Sequence, residues 1–144
     1  MDATQGNEEM TGLDTLISRV RELKGPDREA DALVHHLTAS GETFLTLDLD
    51  CQLQVFERGG QALTAPAYTA SLDATASLIE RELPGYSWGA RKMINGLGFA
   101  TITRTDSYHD WFHGCCSFCR TATAETPTLA LLLAFLTAIK ERDA

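Results

Sequence analysis

The side chains best able to do chemistry are concentrated in His109-Asp-Trp-Phe-His113-Gly-Cys115-Cys116-Ser-Phe-Cys119. His109, His113, Cys116 and Cys119 could offer two imidazoles and two thiolates to a tetrahedral zinc ion. Structural zinc sites usually join two separated ligand pairs, whereas these four candidates fall within 11 residues. Residues three apart on a strand point to opposite faces, so Cys116 and Cys119 would need a turn between them to converge. The same two cysteines could form a redox pair. Such a pair normally sits at a helix N-terminus, which lowers one thiol pKa, and Arg120-Thr-Ala-Thr123 has no helical pattern. The expectation is no cofactor, with zinc on His109, His113, Cys116 and Cys119 as the alternative.

A second grouping suits ligand binding. Tyr86 and Trp88 share a strand parity, and Lys92 lies further along the same face. Arg91, Arg104, Tyr68 and Trp111 lie on neighbouring strands or loops. Rings that stack on a base, with cations that meet phosphates, are what a small nucleotide requires. The competing reading is that Tyr and Trp on a sheet pack into its core or edge. Asp48 and Asp50 share a face and could hold a cation, but solvated strand carboxylates are the plainer reading. His35 and His36 fall near a helix C-terminus, where a solvated face and a favourable dipole account for them. There is no Gly-x-Ser-x-Gly, phosphate-binding glycine loop or His-Glu-x-x-His, and Gly96-Leu-Gly98 does not precede a helix. An enzyme is not expected.

The elements that must position these groups follow from periodicity. Residues 1–10 read as a flexible polar tail, and 11–144 as one α/β/α sandwich domain. Leu13, Leu16, Ile17, Val20 and Leu23 keep helical spacing until Gly25-Pro26. Pro26-Asp27 suits the first turn of a second helix, with a stripe of Ala30, Leu33, Val34 and Leu37. From Phe44 to Phe56 the period becomes two, and a run this long predicts a hairpin turning near Asp48–Asp50. Ser71 caps a third helix, with Asp73 in its first turn and a stripe of Leu72, Ala76, Ile79 and Leu83. Tyr86 to Ile94 and Leu97 to Arg104 read as a hairpin closed by a type I′ turn at Asn95-Gly96. One more strand is expected around Phe112–Phe118. Thr126-Pro127 then opens a last helix on Leu129, Leu132, Leu133, Leu136 and Ile139. Leu131, Ala134 and Phe135 widen that face, so the helix is buried on more than one side or packs on another subunit. The expected fold is α+β, a mostly antiparallel sheet of four to five strands sandwiched by about four helices.

Composition bounds the partners. The 144 residues hold 20 acidic and 12 basic side chains, for a net charge of -8. That field repels phosphate backbones, so non-specific nucleic-acid binding is not expected, although a local basic pocket can still take a small phosphorylated ligand. The N-terminus lacks the basic start and apolar run of a signal peptide, and Leu129 to Ile139 is too short to span a bilayer. No membrane association is expected. Cys51, Cys115, Cys116 and Cys119 then read as reduced cytoplasmic thiols.

Three segments recur in order: Gly25-Pro-Asp-Arg-Glu-Ala-Asp31, Tyr68-Thr-Ala-Ser-Leu-Asp-Ala74 and Thr126-Pro-Thr-Leu-Ala-Leu131. In this series, from Leu13 to the C-terminus, the chain resembles the phage ABA-sandwich domain proteins, small proteins of tailed phages and prophages. The resemblance implies three layers of helices and sheet and a phage accessory protein in the cytoplasm of an infected or lysogenic bacterium. It carries over no catalytic residues. The acidic hairpin at 43–57 and the His/Cys segment at 109–119 depart from the family pattern. The expected function is non-enzymatic binding of a small host ligand, with sequestration of a nucleotide immune signal as its concrete version and a homo-oligomer as its form. A protein–protein interaction module and a zinc-stabilised module are the alternatives.

Overall fold

The structure is a computed structural model, and it describes residues 2–38, 43–47, 53–57, 62–63, 65–104 and 118–142. Among the described residues four helices and six strands make an α+β fold. Helix α1 (Asp2–Glu22) extends through residues read as a tail. Once Leu16, Ile17 and Val20 are buried, adding a turn to a formed helix costs far less than starting one. Helix α2 (Arg28–Thr38) follows. Strands β1 (Thr43–Leu47) and β2 (Leu53–Glu57) form the expected hairpin, pairing Leu47 with Leu53 and Leu45 with Val55, and β3 (Ala62–Leu63) adds to its edge. Helix α3 is Leu72–Glu82. Strands β4 (Ser87–Lys92), β5 (Gly98–Arg104) and β6 (Phe118–Ala124) form a second antiparallel sheet. Helix α4 is Pro127–Arg142.

Among the described residues the strands form two separate three-stranded sheets, β1-β2-β3 and β4-β5-β6, rather than the single sheet of four to five strands expected. The layer order changes as well. Helix α4 packs across β4, β5 and β6 on one side and against α1 and α3 on the other, while β1 and β2 lie on α2. Among the described residues α4 thus contacts both a sheet and two helices. Ten of its 16 residues are buried, including Leu131, Ala134 and Phe135. A helix apolar all round is satisfied only when covered all round, and here the covering comes from the same chain.

Small residues let this helix approach its sheet. Ala100 and Ile102 of β5 are buried, and Ala90 and Ala122 pair with Ala100 on either side. A Cβ at Gly98 would collide with the backbone of Thr126 and Pro127 at the start of α4, so only glycine fits there. Two further readings shift. In α3 the buried face is Thr75, Leu78, Ile79 and Leu83, and Leu72 is exposed. Thr75 tolerates burial because its hydroxyl donates to the Tyr68 carbonyl at 2.8 Å. The strand expected around Phe112–Phe118 lies, apart from Phe118, outside the described residues, and β6 is described from Phe118 to Ala124. Its alternation of Thr121 and Thr123 with Ala122 and Ala124 suits one exposed and one helix-covered face. The second shift is the β4–β5 turn, described with the site.

Candidate functional site

The first two sequence landmarks meet in space, and they make a lock. Asp27 caps α2 by accepting from the Glu29 N–H at 3.0 Å. Its own N–H donates to Thr69 Oγ1 at 2.8 Å. Four residues on, Asp31 is 0% exposed, and its Oδ1 accepts from both the N–H and the hydroxyl of Thr69 at 2.8 Å. Its Oδ2 takes Arg28 Nη1 at 2.9 Å, while Arg28 Nη2 reaches the Ala65 carbonyl at 2.8 Å. Arg19 of α1 closes the outside with bonds to Asp27 and Glu29. A buried carboxylate with this many donors is stable in place, and little capacity is left over for a ligand. The third landmark is also a cap, with Thr126 Oγ1 accepting from the Leu129 N–H at 3.1 Å.

The residues expected to bind a ligand do not all converge. Tyr68 is 2% exposed within the core, so no face of its ring is open for stacking. Tyr86 and Trp88 are half-buried and packed on the core from the α4 side of β4. Arg104 reaches the Tyr86 ring, 5.6 Å from its centroid. Arg91 is exposed on the opposite side of the sheet, over the Phe99 ring at 5.2 Å. Trp111 lies outside the described residues.

Arg91 and Lys92 both border the tip of the β4–β5 hairpin, with their side chains on opposite faces of β4. The turn differs from the expected type I′. The Gly96 N–H donates to the Met93 carbonyl at 2.9 Å, and the Met93 N–H donates to the Leu97 carbonyl at 2.7 Å. The loop is therefore the three residues Ile94-Asn95-Gly96, with Gly96 at φ +91° and Asn95 Oδ1 taking the Leu97 N–H. A type I turn followed by a left-handed glycine closes a three-residue hairpin, and asparagine-glycine fits its last two positions as well as it fits type I′. The consequence is that Ile94, read as a strand residue, stands fully exposed at the tip. Arg91, Lys92, Met93, Ile94 and Asn95 line a cleft of about 530 Å³. That volume lies within the range of small-molecule sites. Met93, Ile94 and Asn95 were missed as site residues, and the signal for them was the second possible turn for Asn95-Gly96.

A third feature lies in the last turn of α2. His35 follows Asp31 by four residues, on the same helical stripe. Its Nδ1 is sealed from water and has no hydrogen-bond partner. Burial first, then the charges of Arg81 and His36, hold the imidazole below its ordinary value, so it is neutral near pH 7. The solvated reading is thus corrected for His35. Burial likewise pushes the Tyr68 phenol up, and the Arg81 guanidinium beside it pulls the other way through charge and a hydrogen bond.

Of the zinc candidates only Cys119 is described. It is a free thiol, exposed on β6. His109, His113 and Cys116 lie outside the described residues, as do Asp48, Asp50 and Cys51. Among the described residues no group of three or more His, Cys, Asp or Glu could hold a metal, and no helix is long and apolar enough to cross a membrane. Protein-family models, curated proteins and solved structures give no match to this chain.

Proposed function

We propose that the chain is a non-enzymatic accessory protein of a phage or prophage that binds a small host ligand, with a nucleotide immune signal as the concrete case. The observation that carries this reading is the hairpin-tip cleft. Arg91 and Lys92, on opposite faces of the strand end, each offer a cation at the rim of the cleft for phosphate oxygens, and Met93 and Ile94 supply apolar wall for a base. A locally cationic cleft on a chain of net charge -8 favours a small anion over a long polyanion. The phage setting rests on the resemblance of the three landmark segments in series. Isothermal titration calorimetry against cyclic oligonucleotides and cyclic ADP-ribose isomers tests the ligand class. Saturable binding of one of them supports the reading, and no heat from any of them removes it.

A protein–protein module is the second reading, favoured by the fully exposed Ile94 beside Met93. Under that reading Ile94→Asp abolishes partner binding and leaves every nucleotide titration flat.

A further inference from the structure

A cleft of about 310 Å³ lies between α1 and α4, apart from the hairpin tip. Asp14, Ile17, Ser18 and Arg21 fall at i, i+3, i+4 and i+7, so they form one stripe of α1. Thr137, Lys140 and Glu141 form the matching stripe of α4, and the two helices pack on each other. Ile17 is 5% exposed and belongs to the core, so the cleft has a fixed apolar floor. Both acids of the lining are half spent. Asp14 Oδ1 pairs with Lys140 Nζ, and Glu141 Oε2 accepts from Arg120 of β6, which leaves one oxygen of each carboxylate open. The Thr137 hydroxyl donates to the Leu133 carbonyl at 2.9 Å, so only its lone pairs remain. Arg21 is exposed and has no hydrogen bond or ion pair among the described residues, and the same holds for Ser18 one turn before it. Donors are therefore unspent at the Arg21 end and acceptors at the Asp14 end. The charges of the lining cancel, Arg21 and Lys140 against Asp14 and Glu141. A phosphate dianion would meet two carboxylates here, whereas a neutral ligand with separated charges meets its complement at each end. Arg21 and Asp14 are two helical turns apart, roughly 10 Å along the axis, and the arginine side chain leans back toward Ser18. That span is too wide for the adjacent ammonium and carboxylate of an α-amino acid and suits a pair several bonds apart.

We propose that the α1–α4 cleft binds a small zwitterion of the ω-amino-acid class. Its carboxylate lies on Arg21 and Ser18, and its ammonium on the open oxygens of Asp14, Glu141 and Thr137. The site does not depend on the hairpin-tip reading.

Backbone ¹H–¹⁵N spectra of the full chain test it, with δ-aminovalerate as the probe and valerate and pentylamine as its two halves. The expected result is saturable movement of the Ser18, Arg21 and Thr137 amide signals with δ-aminovalerate, at an affinity at least about tenfold above either half. Arg21→Gln changes an exposed side chain that holds nothing else described, so the fold should stand while affinity for the zwitterion falls at least about tenfold. Arg21→Lys, which keeps charge without the fork, should fall between the two. Asp14→Asn weakens the ammonium end and releases Lys140, so the preference should turn toward valerate. No saturable movement, a half-probe that binds as tightly as the zwitterion, or an unchanged affinity in Arg21→Gln would overturn the proposal. The cleft and the hairpin tip are read by different amides, so failure here leaves the hairpin-tip reading standing, and the converse also holds.

Discussion

Two regions of this molecule carry charged and polar side chains and use them in opposite ways. At the start of α2, Asp27, Arg28, Asp31, Arg19 and Thr69 spend their hydrogen bonds on one another and on nearby backbone. At the hairpin tip, Lys92 and Arg91 face a cleft, beside an isoleucine that nothing described covers. The first region answers the question of what holds the fold, and the second leaves chemistry unspent. Polar residues that stand out in the sequence can therefore mark scaffold, and binding capacity lies where polar groups remain unsatisfied.

The comparison predicts separable losses. The largest is Asp31→Ala, which leaves the Thr69 N–H and the Arg28 guanidinium without their buried acceptor. It should cost about 3–5 kcal/mol in chemical denaturation, and a loss below about 1 kcal/mol would mean the lock is not structural. Gly98→Ala comes next, at about 1–3 kcal/mol, because its methyl meets the backbone of Thr126 and Pro127 rather than a side chain that can swing away. A neutral result in the same denaturation assay would show that α4 can shift off the sheet.

The smallest effect is the pH dependence of stability. The folded chain holds the His35 imidazole below its ordinary value, so the unfolded chain takes up the proton first as pH falls through about 6.5. Stability therefore declines from that pH downward until the native imidazole itself becomes charged. Thermal melts of wild type and His35→Gln between about pH 7.5 and 5.5 should show a shallower decline in the variant. Parallel curves would remove His35 from the account.

Much of the scaffold was legible in the sequence. The caps at Ser71 and Thr126, the stripe Leu16, Ile17, Val20 and the 43–57 hairpin register as local patterns, because each depends on a few adjacent residues. The layer order did not register, because whether the apolar flanks of α4 face a sheet, a helix or another subunit is a matter of tertiary placement. The locking role of Asp31 was also invisible, since its partner Thr69 is 38 positions away. At the candidate site the cations Arg91 and Lys92 were legible as ligand residues. Tyr68 and Trp88 were read as binding aromatics, yet they pack on the core. Ile94 moved from strand to tip because Asn95-Gly96 satisfies two turn types, and the local sequence does not choose between them.

The contrast between a spent lock and an unspent tip is tested most directly by calorimetry on two variants, titrated with whichever nucleotide the wild type binds. Arg91→Gln combined with Lys92→Gln alters only exposed side chains, so stability should stay within about 0.5 kcal/mol, while affinity falls by at least about tenfold. Thr69→Val should do the reverse, losing about 1–3 kcal/mol of stability with affinity unchanged at a temperature where it remains folded. The account is contradicted if the double variant binds as tightly as wild type, or if the folded Thr69→Val protein loses its ligand.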